Sequence, residues 1–172
     1  MGSGRGAVNW RRCLELAIGL SIPAAAACAS TAEREADPLR FFVGNTEMVS
    51  TTKIITQKPF VTHSLGRGSI GEDGALELVQ HVNEAGRRQF DRFWHIRKVA
   101  PNRFGGTMSE ANGPVTVEKR GARYLFRFRL KDDLAVEEWL IPQGESAARI
   151  LVTIRKFGIA VVHTQGWIRR VS

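Results

Sequence analysis

The chain reads as an all-β protein, a single antiparallel up-and-down β-barrel of about 8–10 strands. Three observations lead there. Period-two alternation of apolar and polar residues recurs from residue 39 onward, while helical periodicity of any length is hard to find. Turn-forming residues punctuate the chain at short, even intervals. The connections between successive strands are brief, so each strand pairs with the next, and closure of the sheet removes the exposed edges that a flat sheet of this width would leave.

Taken in order, the strands fall as follows. Residues 47–56 are rich in β-branched side chains and end before Lys58-Pro59. Residues 60–70 follow, with Gly66 and Gly68 predicting a bulge or bend. Gly71-Glu72-Asp73-Gly74 is a hairpin turn, and residues 75–84 then alternate with Leu76, Leu78 and Val82 on one face. Ala85-Gly86 turns the chain into residues 87–99, and Pro101-Asn102 ends that strand. Residues 103–110, 115–120 and 123–130 come next, separated by Asn112-Gly113-Pro114 and by Gly121. Lys131-Asp132-Asp133 leads into 134–141, Pro142 to Glu145 into 148–157, and the last strand covers 158–171.

Face assignments give the candidate interior. Tyr124, Phe126, Phe128 and Leu130 share one face of their strand, while Arg123, Arg127 and Arg129 share the other, with Leu125 the exception. One face is dry and the other wet. On residues 87–99, Phe90, Arg92, Trp94 and Ile96 share a face, which sets Arg92 among apolar neighbours. A buried guanidinium needs an anionic or carbonyl partner. Glu138, between Val136 and Leu140 on one face of its strand, is the candidate. A structural ion pair and a ligand-anchoring arginine are both open readings of Arg92.

Ahead of the barrel, residues 1–28 have the parts of an export leader. Arg5, Arg11 and Arg12 precede the apolar run from Leu14 to Ile22, and small residues Ala24 to Ala27 lead to Cys28. Ala25-Ala26-Ala27-Cys28 has the form of a lipobox, so Cys28 is the expected lipidation site and the cell envelope the expected location, as an outer-membrane lipoprotein or a periplasmic protein. Residues 29–38 form a polar tether, and residues 39–172 the barrel domain, a length close to the commonest single-domain size.

The chain has only two cysteines, Cys13 and Cys28, both in the leader segment. The barrel therefore carries no disulfide framework, thiolate nucleophile or thiolate metal site, and must be held by a packed core. The formal net charge is +8 and the pI about 10.3. Most of the arginines are read as solvated strand faces. For an exported domain an anionic lipid surface, not nucleic acid, is the expected basic-surface partner. A monomer is expected.

Several motifs carry no chemistry in this context. Gly66-Arg67-Gly68-Ser69-Ile70-Gly71 matches the dinucleotide fingerprint letter for letter, but a turn and another strand follow where a helix N-terminus must receive the pyrophosphate. His63, His81, His95 and His163 have no helical ligand spacing, so no metal is expected. No serine sits in a nucleophile elbow, and Glu137 and Glu138 point to opposite strand faces, so neither a catalytic dyad nor a bound cofactor is expected.

The order of landmarks carries a resemblance. Phe41-Phe42-Val43-Gly44, Arg92-Phe93-Trp94, Phe104-Gly105-Gly106-Thr107, Gly113-Pro114, Glu138-Trp139 and Lys156-Phe157-Gly158 succeed one another across residues 39–170. The series resembles a family of bacterial envelope proteins of unknown function, often predicted lipoproteins, whose fold looks like the lipocalin or calycin barrel. Glu138 departs from the Asp-Trp pair of that pattern. Some members sit beside genes for fatty-acid modification, so the resemblance implies lipid handling, with Arg92, Trp94 and Trp139 carried over as motif positions. The expected function is an envelope-tethered, lipocalin-like barrel that binds or carries one small apolar or lipid-like molecule. Arg92, Trp94, Tyr124, Phe126, Phe128 and Trp139 are the candidate ligand-binding residues, with the polar head near Arg92. A structural protein with a filled barrel, or a barrel enzyme of cyclase or isomerase type, are the alternatives.

Overall fold

The computed structural model describes residues 38–171, which form one closed antiparallel barrel. The leader, Cys28 and most of the tether lie outside the described residues. A short helix α1 (Pro38–Phe41) precedes ten strands: β1 (Gly44–Ile54), β2 (Phe60–Ile70), β3 (Leu76–Glu84), β4 (Phe90–Ala100), β5 (Arg103–Met108), β6 (Val115–Arg120), β7 (Arg123–Arg129), β8 (Ala135–Pro142), β9 (Ala147–Lys156) and β10 (Ile159–Val171). Every strand pairs with its sequence neighbours, and β1 closes on β10 from Asn45↔Val171 to Ile54↔Val162. The fold is the all-β, up-and-down barrel that the alternation predicts, at the upper end of the expected strand number. Barrel diameter grows with strand number, so ten strands enclose more space than their own side chains need to fill.

Alternation sets what faces in. On β3, Leu76, Leu78, Gln80 and Val82 are buried while Glu77, His81 and Asn83 are exposed. On β7, Tyr124 and Phe126 point inward as predicted. Leu125 is also buried, but on the outer side, where it lies between Glu118 and Trp139 across the neighbouring strands.

One end of the barrel is plugged. Leu39 and Phe42, in and just after α1, are buried in the same apolar cluster as Leu76, Ile96, Phe104, Tyr124, Leu140 and Ile168. This plug explains Gly68, the Thr46 side chain on β1 explains Gly66, and neither glycine marks the expected bulge. The register of β2 runs unbroken against both β1 and β3. The two glycines are there for space: a Cβ on Gly68 would come 2.1 Å from the Phe42 carbonyl oxygen, and one on Gly66 would meet the Thr46 hydroxyl at 2.4 Å. The pairing of the strand is uninterrupted, and the plug passes against it at Gly68.

The other end is open. Its hairpins include β9–β10, a two-residue turn in which Phe157 and Gly158 both take positive φ, 51° and 83°, as a type I′ turn requires.

Candidate functional site

Between plug and open end lies a cavity of about 350 Å³. That is within the range of small-molecule pockets, about 300–1,000 Å³. The barrel is hollow. Its walls differ in chemistry because the inward faces of the strands differ. β1, β2 and β10 contribute Ser50, Thr52, Thr62 and Thr164, and the hydroxyls of Thr52 and Thr164 lie 2.8 Å apart. β4, β5, β7 and β9 contribute Trp94, Met108, Phe126, Phe128, Ile150, Val152 and Ile154. The aromatic side is ordered by edge contacts. The Trp94 ring meets Phe126 at 6.3 Å and 80° and Phe128 at 5.7 Å and 88°. Trp94 Nε1 donates to Gln80 Oε1 at 2.7 Å, which satisfies the indole that burial would otherwise strand.

Charged groups gather toward the open end and mostly pair off. Arg87 reaches Glu84 at 3.0 Å and lies 4.8 Å from the centre of the Phe60 ring. Arg92 Nε donates to Glu110 Oε1 at 2.9 Å, and Ser109 Oγ donates to the other oxygen of Glu110. The arginine on the apolar face of β4 thus has its carboxylate, and the residue that supplies it corrects the expected partner. It is Glu110, from the turn after β5, not Glu138.

Glu138 has a different situation. It projects from β8 into the cavity, with Phe126 and Val152 opposite it on the flanking strands. It makes no hydrogen bond or ion pair with the described residues. Burial pushes its carboxyl up from the ordinary value of 4.5, and the positive charge of Arg92 only partly opposes that rise. A half-buried carboxyl without a partner, facing an apolar space, is the chemically active feature of the lumen.

Of the sequence-predicted ligand residues, Arg92, Trp94, Phe126 and Phe128 line the cavity. Tyr124 points inward but is packed among core residues and is not part of the cavity wall. Trp139 is corrected: it follows Glu138 on the same strand and so faces the outside, opposite Leu125 on β7 and Leu151 on β9. The polar wall and Gln80 were not anticipated. The inward face of β1 reads Thr46, Met48, Ser50, Thr52, Ile54, and its outward face carries Val49, so hydrophobicity does not tell the two apart. Among the described residues no group of three or more His, Cys, Asp or Glu is placed to hold a metal ion.

No known protein-family profile matches the chain. No curated protein matches it in sequence. Among solved structures it is similar to an S-type phycobiliprotein lyase from Guillardia theta, with a TM-score of 0.65 and 8% identity over 78% of this chain and 90% of that one. It is also similar to a protein of unknown function from the DUF3598 family of Nostoc punctiforme, with a TM-score of 0.54 and 11% identity, covering 77% of this chain and 48% of the other. At such identities the likeness is one of fold, and neither structure identifies an envelope or lipoprotein family. The chain is a hollow, lipocalin-like antiparallel barrel, plugged at one end and open at the other.

Proposed function

We propose that this protein is an envelope-tethered barrel that binds and carries one small, lipid-like molecule in its lumen. The observation that carries the reading is the cavity of about 350 Å³, walled by Trp94, Phe126, Phe128, Val152 and Ile154 and open at one end. That volume holds about a dozen groups the size of a water or a methylene. A dozen buried methylenes contribute about 10 kcal/mol before the costs of association. Lost freedom of ligand and chain takes several of these, which leaves micromolar affinity.

A lipid source for the ligand is supported by the rim of the open end. Phe157 is 82% exposed and Ile159 66%, and Ile55 stands beside them, bonded through its N–H to the Val161 carbonyl. Exposed Lys53, Lys58 and Lys156 are near them in the chain. A bulky residue at positive φ in a turn that favours asparagine, aspartate or glycine is conformationally costly, so Phe157 is placed there against local preference. Apolar tips flanked by lysines suit the surface of an anionic membrane, where ligand could pass into the lumen. Anchoring through an acylated Cys28 would hold the barrel near such a surface.

The experiment is a titration of the full chain, purified without detergent, with straight-chain alcohols of increasing length, read by tryptophan fluorescence and by native mass spectrometry. Affinity rises by about fourfold per methylene and levels off once the cavity is full. If no chain length binds below about 100 μM, the carrier reading fails and a structural role for the barrel replaces it.

A further inference from the structure

We infer that the lumen selects an amphiphile whose polar group is uncharged and both donates and accepts a hydrogen bond, an alcohol or a primary amide, and that Glu138 is the residue that makes this selection. The inference rests on the lumen being a lipid-like binding site.

The argument is one of charge pairing and geometry. Four ionisable side chains line the cavity: Glu84, Arg87, Arg92 and Glu138. Glu84 and Arg87 neutralise each other at 3.0 Å. Arg92 is neutralised by Glu110 at 2.9 Å. Glu138 is left over, with apolar Phe126 and Val152 opposite it on either side. An anionic head entering this space meets no unpaired cation and finds a second carboxyl group beside it. Two carboxylates sharing a low-dielectric site disfavour each other's ionised form, so a fatty acid and an ionised Glu138 must take up at least one proton between them as the acid binds.

A neutral head that both donates and accepts suits Glu138 in either protonation state. Ionised, the carboxylate accepts the O–H or N–H; protonated, it offers one O–H donor and one carbonyl acceptor, which an alcohol or primary amide answers in a reciprocal pair. Either way the unpartnered carboxyl gains hydrogen bonds that the protein does not supply. A long-chain amine could pair with an ionised Glu138, but taking both charges out of water offsets what their pairing returns, so it gains nothing over the neutral heads.

The test compares dodecan-1-ol, dodecanamide, dodecanoate and dodecylamine on the full chain at pH 8, by displacement of a fluorescent probe and by native mass spectrometry. The alcohol and the amide should bind at least tenfold more tightly than dodecanoate, and the dodecanoate deficit should shrink as the pH is lowered. Glu138→Gln, which keeps the side-chain volume, should raise dodecanoate affinity about tenfold and leave the alcohol within about threefold. Glu138→Leu should weaken the alcohol and the amide. Equal affinity for all four heads in wild type, or a head-group ratio unmoved in Glu138→Gln, overturns the inference while leaving the carrier reading intact. Binding of none of the four overturns both.

Discussion

Trp94 donates its indole N–H to the Gln80 side-chain carbonyl at 2.7 Å, a buried bond between neighbouring strands in the wall of the lumen. It explains how a tryptophan can face an otherwise apolar aromatic wall without an orphaned donor. Replacing Gln80 with leucine should remove the acceptor and cost about 1–3 kcal/mol. Trp94→Ala, which also opens space against Phe126 and Phe128, should cost about 3–5 kcal/mol. Denaturant titrations of both variants check the order; a Gln80→Leu protein as stable as wild type would mean that the bond contributes nothing.

The three described tryptophans also separate lumen from surface. Trp94 lines the cavity, Trp139 is on the outer face and Trp167 is 47% exposed. Ligand-induced quenching should disappear in Trp94→Phe and persist in Trp139→Phe and Trp167→Phe. Loss of the signal only with Trp139 would place the ligand outside the barrel.

The plug makes a stability prediction. With only 2.1 Å between a Cβ on Gly68 and the Phe42 carbonyl oxygen, Gly68→Ala must displace backbone, which does not rotate away as a side-chain end can. The expected cost is about 1–3 kcal/mol, seen as a lower urea midpoint. Gly105→Ala, where the nearest atom is 3.6 Å away, is the control and should cost less.

The adjacent carboxyls of β8 should show opposite pH dependence. Glu137, on the outer face, accepts hydrogen bonds from Arg155 and Arg127, and these hold its carboxyl below the ordinary 4.5 despite some desolvation. Its stabilisation is present above the unfolded carboxylate value and is lost as the pH falls through the folded one. Glu138 is shifted the other way, by burial first. Its contribution is present below the unfolded value and is lost as the pH rises through the folded one. Relative to wild type, Glu137→Gln should therefore be destabilised most near neutral pH, and Glu138→Gln should gain stability there. Urea midpoints from pH 3 to 8 decide it, and parallel curves for all three proteins would refute the assignment.

Two predictions concern the membrane. Metabolic labelling with an alkyne fatty acid should mark wild type and spare Cys28→Ser; equal labelling would exclude the lipid anchor. Phe157→Ser should reduce binding of the Cys28→Ser protein to anionic vesicles by about tenfold, through loss of apolar contact with the bilayer. Vesicle binding unaffected by this change would remove the rim from the argument.

Much of the barrel was legible in the sequence because its determinants are local. Alternation on β3 and β7, and the turns at Gly74 and Gly121, depend on side-chain period and backbone φ, which neighbouring residues set by themselves. Trp94, Phe126 and Phe128 could be assigned to one interior for the same reason. What only the tertiary structure decided depends on residues far apart in the chain. Arg92 finds Glu110 because β4 and β5 pair and the turn after β5 brings the carboxylate back to the open end. Gly68 is required by Phe42, which lies ahead of β1 in the chain and is brought against it by the pairing of β1 with β2. Glu138 and Trp139 are adjacent in one motif, yet a strand sends them to opposite faces, so only one can meet a ligand. The hollow itself was not legible. A wall of serines and threonines on β1, β2 and β10 is compatible with either solvent or a lumen, and ten-strand closure makes it a lumen.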